Sequence, residues 1–304
     1  MPLIKANGLE VNYEVEGAGP PVVMLHGATS TSAEDWSAQR PLFRKVFKLY
    51  LVDARGHGGT RWDVRDGFDR DTLVDDLLAF VDALGLSTFH LVGFSMGAMT
   101  ALTFATRFPE RLRTAIICGI DVVREPRASV ARRLMDPERI LREEPDWAAE
   151  LERRHGPVQG EGSWQRLLPA IANDVATARL LTPEELRRIR LPVLLVYGDR
   201  DVFVPADHAV AIHRQLPDSR LFVAPNSGHQ VMAAQPAMFN QAASGFYRST
   251  EAIARQRAES GSHLGRAVAT AGDGASVYDP RAVAVADDDE PDESFSNWVE
   301  EGTA

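Results

Sequence analysis

The pentapeptide Gly93-Phe94-Ser95-Met96-Gly97 constrains this chain more than any other feature, because of what flanks it. Before it runs the apolar segment Thr88-Phe89-His90-Leu91-Val92, read as a buried strand. After it, Ala98 to Arg107 carries a helical pattern. A strand that becomes a helix across a single serine makes a turn so tight that only glycine-sized residues fit on either side. Such a turn holds the serine hydroxyl out above the end of the sheet, where another molecule can reach it.

A serine hydroxyl needs a base to become a nucleophile, and the rest of the chain offers one. Asp201 ends the run Pro192-Val193-Leu194-Leu195-Val196-Tyr197-Gly198-Asp199-Arg200, which reads as a buried parallel strand and its exit loop. His229 closes Pro225-Asn226-Ser227-Gly228-His229, just after the short strand Arg220 to Ala224. The order Ser, Asp, His is that of the α/β-hydrolases and differs from both serine-protease orders. On these residues the chain resembles the α/β-hydrolase superfamily over about residues 1–250.

That resemblance implies an α/β fold, a mostly parallel sheet flanked by helices, with a helical cap insertion and an acyl-transfer site. His229 is expected to take the Ser95 proton and return it to the leaving group, with Asp201 orienting the imidazole. The family places its acid three residues past the glycine, here Gly198, which selects Asp201. Asp199 is then read as a tie for its loop through Arg200, and Asp121 marks a position some members use for the acid. The Met96 N–H is one expected oxyanion donor. In members with a His-Gly pattern like His26-Gly27 the residue after the glycine supplies the other, here Ala28. His57, in Asp53-Ala54-Arg55-Gly56-His57-Gly58, is read as a brace for the nucleophile loop.

The surrounding sequence alternates strands and helices, as a parallel sheet requires. Leu9 to Val15, Pro21 to Leu25 and Leu49 to Val52 read as strands. Asp71 to Leu84 places Leu73, Leu77, Phe80, Val81 and Leu84 on one helical face, with Gly85 as a stop. Residues 1–120 and 191–250 form the expected core. Residues 121–190, rich in Arg, Glu, Trp and Leu, form the expected cap, with helices near Ala128–Leu134, Asp146–Arg154 and Trp164–Ala178. Trp147 and Trp164 there, with His26, are candidate pocket residues, and packing of the cap onto the sheet is the other reading of the tryptophans.

From residue 251 the apolar pattern fails, and 251–304 is read as a low-complexity, acidic, disordered tail. The net charge of -10 is concentrated there, at Asp287, Asp288, Asp289, Glu290, Asp292, Glu293, Glu300 and Glu301, so the remainder is close to balanced. No basic surface suggests nucleic acid. Two readings stand for Ser294 to Glu301: a segment that docks a protein partner, or a solvated stretch whose aromatics rest on the body.

No apolar run is long enough to span a membrane, and the start of the chain lacks a signal-peptide pattern, so a cytoplasmic enzyme is expected. The single cysteine, Cys118, excludes an internal disulfide and reads as a buried, inert thiol. His90, His155, His208 and His213 lack a second ligand at metal spacing, so no metal is expected, and no cofactor is implied.

The leading functional expectation is a serine hydrolase acting on a small or medium carboxylic ester, lactone or thioester. A second is carbon–carbon bond hydrolysis of a vinylogous diketone. The run Asp201-Val202-Phe203-Val204-Pro205 resembles that branch's acid loop, whereas Gln230 stands where the branch usually has tryptophan. A third is a non-catalytic ligand-binding relative.

Overall fold

The computed structural model describes residues 2–122 and 128–270. Eight strands form one sheet: Leu3–Ala6 (β1), Leu9–Glu16 (β2), Pro21–Leu25 (β3), Lys48–Val52 (β4), Phe89–Phe94 (β5), Leu112–Cys118 (β6), Val193–Gly198 (β7) and Ser219–Ala224 (β8). Their order is β1-β2-β4-β3-β5-β6-β7-β8. β2 runs antiparallel to both β1 and β4, and every pairing from β4 to β8 is parallel. All residues of β5 and β7 are buried. Their continuous apolar character follows, since a parallel strand with helices on both faces has no solvent side.

Short helices α1 (Ser32–Asp35) and α2 (Arg40–Phe43) lie between β3 and β4. α3 (Arg70–Ala83) starts at Asp69, whose side chain accepts from the Thr72 N–H at 2.8 Å, and buries the predicted face of Leu73, Leu77, Phe80 and Val81. α4 (Met96–Arg107) follows the elbow, and α10 (Ala206–His213) and α11 (Val231–Ala234) flank β8. The expected strands β2, β3 and β4 and helices α3 and α4 match the observed elements within a residue or two, whereas α1, α2, α10 and α11 have no counterpart in the sequence reading.

Between β6 and β7 lie α5 (Ala128–Leu134), α6 (Pro137–Glu143), α7 (Pro145–Gln159), α8 (Trp164–Thr177) and α9 (Pro183–Arg188), with no strand among the described residues. α8 buries Trp164, Leu167, Leu168, Ile171 and Ala172, a stripe at helical spacing. All of these but Ala172 join Ile140, Ala148 and Leu151, with Phe68 and Leu73 from outside the insertion, in a second apolar cluster, separate from the one on the sheet. α6 and α9 were not foreseen. Asp136 caps α6 through the Glu138 N–H, and Thr182 and Glu185 form a capping box on α9.

The chain divides into two compact units, Met1–Asn240 and the part from Gln241 onward. The last helix, α12 (Pro236–Thr270), crosses that boundary, so the tail expected from residue 251 begins inside a helix. Residues 271–304, and with them Ser294 to Glu301, lie outside the described residues.

Two glycines of the elbow are dictated by space. A Cβ on Gly93 would lie 2.4 Å from the Gly97 carbonyl oxygen, and one on Gly97 would lie 2.6 Å from that of His26. Both obstacles are backbone and cannot rotate away. Gly97→Ala is therefore expected to cost at least about 2 kcal/mol, the ordinary scale of core overpacking. Thermal unfolding followed by circular dichroism checks this, and an unchanged Tm would contradict the packing described.

Candidate active site

Ser95 sits at φ 49° and ψ -112°, off the regions a non-glycine residue favours, between the last residue of β5 and the first of α4. Its N–H donates to the Cys118 carbonyl at 2.9 Å, which anchors the elbow to the end of β6. The loops after β7 and β8 also leave carboxyl ends of parallel strands, so Asp201 and His229 arrive on the same edge of the sheet.

The side chains meet there. The Ser95 Oγ and His229 Nε2 are 3.0 Å apart, and His229 Nδ1 is 2.7 Å from Asp201 Oδ2. A carboxylate only accepts, so Nδ1 carries the proton and Nε2 is left to accept from the serine. Asp201 Oδ1 accepts from the N–H groups of Phe203 at 2.8 Å and Val204 at 3.0 Å. Burial would raise the Asp201 carboxyl, but His229 and these N–H groups outweigh it and hold the carboxyl below the usual carboxylate range. The His229 ring lies 5.0 Å from both Phe94 and Phe203. Phe94 is buried, whereas Phe203 leaves an apolar surface open beside the imidazole.

The competing carboxylates are otherwise engaged. Asp121 Oδ2 is 2.6 Å from His208 Nδ1. Asp199 ties the loop before His229 by accepting from the Ser227 N–H at 3.0 Å, rather than through Arg200. Cys118 is buried, and burial raises its thiol well above the usual range.

Neither the Ala28 nor the Met96 N–H has an acceptor among the described residues. The Gly97 N–H donates to the His26 carbonyl at 3.0 Å, bringing the loop after β3 against the start of α4. Ala28 and Met96 both pack against the apolar cluster of the helical insertion. That loop is held by residues the sequence did not single out. Asp35 accepts from the Gly27 N–H at 2.8 Å and from the Ser30 hydroxyl at 2.7 Å.

Three imidazoles line the same loop. His26 Nε2 accepts from the Ala54 N–H at 3.0 Å, leaving Nδ1–H to donate to the Gly27 carbonyl at 2.6 Å. His57 Nε2 accepts from the Thr29 N–H at 3.2 Å, and its Nδ1–H donates to the Arg55 carbonyl at 3.0 Å. The expected brace is therefore on the loop after β3, not on the nucleophile turn. His155, from α7, accepts from the Gly58 N–H at 3.0 Å and donates to the Thr29 carbonyl at 3.3 Å.

The pocket expectations need correction for two residues. His26 is 1 % exposed with both ring nitrogens spent on backbone, and Trp164 is 2 % exposed within the apolar cluster. Neither offers a substrate a free surface. Trp147 packs against the same cluster and keeps part of its surface open.

These buried rings have a consequence for stability. Burial, with His26 and His155 nearby, holds His57 well below the ordinary value of 6.5, and burial brings His155 down to about 4. In the unfolded chain both rings take up a proton near the ordinary value, whereas the folded protein resists it. The contribution of these rings to stability is thus complete above pH 6.5 and is lost as the pH falls towards about 4, and Asp201 adds a further loss only below its ordinary value of 3.8. The Tm measured across this range should fall steadily, and a flat profile would count against neutral, buried rings.

A model of the alpha/beta hydrolase family matches residues 22–242. The chain is similar to the 2-hydroxy-6-oxo-2,4-heptadienoate hydrolase of Pseudomonas putida, 28 % identical over 252 residues, covering 77 % of this chain and 91 % of the relative. It is 27 % identical over 249 residues to the pimeloyl-[acyl-carrier protein] methyl ester esterase of Nitrosomonas europaea, covering 75 % and 96 % of the two chains. Among solved structures, a thermophilic esterase from Thermogutta terrifontis superposes with a TM-score of 0.67 at 25 % identity, over 82 % of this chain and 97 % of that one.

Proposed function

This chain belongs to the alpha/beta hydrolase family and is a hydrolase, and from that premise we propose that it cleaves a carboxylic ester, lactone or thioester through Ser95. The observation that carries the reading is the unbroken line from Ser95 Oγ through His229 to Asp201, with each proton assigned by its partner.

In this mechanism the hydroxyl attacks the acyl carbon while His229 Nε2 takes its proton. Asp201 holds the ring in the tautomer that can accept and stabilises the imidazolium while it lasts. The acyl oxygen becomes an anion facing the unspent N–H groups of Met96 and Ala28. Each such donor is worth about 3 kcal/mol in the transition state. His229 then protonates the leaving group. Water, deprotonated by the same ring, releases the acid from Ser95. Phe203, exposed beside His229, favours a substrate with an apolar group on that side.

Carbon–carbon hydrolysis is the second reading, favoured by similarity to a relative named as a 2-hydroxy-6-oxo-2,4-heptadienoate hydrolase. A panel of p-nitrophenyl esters, lactones and a vinylogous diketone separates the two. Turnover of esters with the diketone left intact supports the proposal, whereas consumption of the diketone alone contradicts it.

Ser95→Ala should remove nearly all ester turnover, by a factor of about 10⁴ or more. Asp201→Asn should cost about 10³–10⁴ in kcat, because Asp201 is the carboxylate that meets His229 Nδ1 while Asp121 pairs with His208. Asp121→Asn should leave kcat close to wild type. The reverse pattern in steady-state kinetics would move the acid to Asp121.

A further inference from the structure

The oxyanion loop is fixed from two sides, and one of those sides is the helical insertion. A trans peptide points its N–H opposite to its C=O. The Gly27 carbonyl accepts from His26 Nδ1–H at 2.6 Å, which turns the Ala28 N–H to the other side of the same peptide plane. The next residue, Thr29, sits in the left-handed region at φ 66°, a costly position for a β-branched side chain. Nothing about Thr29 itself favours that conformation, so its surroundings must impose it.

Both polar groups of the Thr29 backbone are held. His57 Nε2 accepts from the Thr29 N–H. The Thr29 carbonyl accepts from His155 Nε2–H at 3.3 Å and from Arg154 Nη1 at 3.1 Å. Both donors stand on α7. Arg154 and Arg153 also pair with Glu34 of α1, just beyond the loop. One turn on from His155, Gln159 donates to the Thr60 carbonyl and accepts from the Trp62 N–H at 3.2 Å. Helical spacing places Leu151, His155 and Gln159 on one face, the face turned to these loops. His155 bonds to both loops, accepting from Gly58 and donating to Thr29, and its ring lies 5.4 Å from that of His57. It is 0 % exposed, so no solvent competes for either bond.

We propose that His155, assisted by Arg154, is a positioning residue for the oxyanion hole: it holds Thr29 in its left-handed conformation and thereby aims the Ala28 N–H at the reacting acyl oxygen. The proposal rests on the serine-hydrolase reading and on Ala28 as a donor in it. It makes α7 part of the reaction machinery without any contact to the substrate. A donor misplaced by a fraction of an ångström loses much of its transition-state bond while ground-state binding is largely kept.

The test compares His155→Ala, His155→Gln and Arg154→Met with wild type on p-nitrophenyl butyrate. It also compares inhibition by an alkyl trifluoromethyl ketone with that by the matching methyl ketone. The trifluoromethyl ketone adds to Ser95 and places its anion in the hole, whereas the methyl ketone stays largely unionised. For folded His155→Ala, kcat should fall at least about tenfold with KM within about twofold, and the trifluoromethyl ketone should weaken by the same factor as kcat. The methyl ketone should bind as before. His155→Gln, whose amide can still donate to Thr29, should recover most of kcat.

An unchanged kcat in folded His155→Ala overturns the proposal. So does a rise in KM alone, or equal weakening of both ketones, which would mark a merely structural role. If His155→Ala does not fold, Arg154→Met carries the same test. A loss of about threefold in kcat, matched by the trifluoromethyl ketone, supports the proposal, and no loss overturns it. Ser95→Ala run alongside tells the two readings apart. Full turnover in that variant sinks the serine-hydrolase reading and this proposal together, whereas an inactive Ser95→Ala beside a fully active His155→Ala sinks this one only.

Discussion

The contact on which the site depends is the approach of two backbones at the top of the sheet. Gly97, in the first turn of α4, lies against Leu25 and His26 at the end of β3, with no room for a side chain and one hydrogen bond across the gap. That contact sets the start of α4 beside the loop after β3, the two segments that carry the proposed donors Met96 and Ala28. Gly93, closed in by Gly97 and Ala98, permits the turn that leaves Ser95 on a strained backbone. Strain of this kind persists only where the surrounding structure over-determines it, and here the Ser95–Cys118 backbone bond and the packing of α4 on β5 and β6 do so.

The candidate catalytic groups were legible because the features that locate them are local. A glycine-flanked serine between a strand and a helix, an aspartate three residues after a strand's terminal glycine, and a histidine after the last strand each declare themselves within ten residues. Apolar periodicity located α3, α7 and α8 for the same reason. The supports of the site were hidden because they act across the sequence. Asp35, His57 and His155 hold one loop from positions far apart in the chain, and an isolated histidine in a polar helix carries no mark of its partner. His57 looked like a brace, but the loop it braces could be found only in three dimensions. Trp164 could have lined a pocket or packed a helix, and only the fold decides that it packs.

Histidine plays two different parts in this protein. His26, His57 and His155 each accept from one backbone N–H and donate to one backbone carbonyl, so they act as rods between loops. His229 instead sits between a carboxylate and a hydroxyl and keeps a fifth of its side chain exposed. A proton arriving on His57 or His155 breaks a support, whereas the proton that His229 takes from Ser95 belongs to the proposed chemistry. The same residue type is thus a backbone support or a candidate for the chemistry according to its second partner, which is why counting histidines says little about where a site lies.

The central claim is that Ser95 is an activated nucleophile, and fluorophosphonate labelling of the folded wild-type protein tests it most directly. Mass spectrometry of the digest should find one adduct, on the peptide carrying Ser95, at neutral pH. Absence of any adduct on folded protein, or an adduct on another residue, would contradict the account.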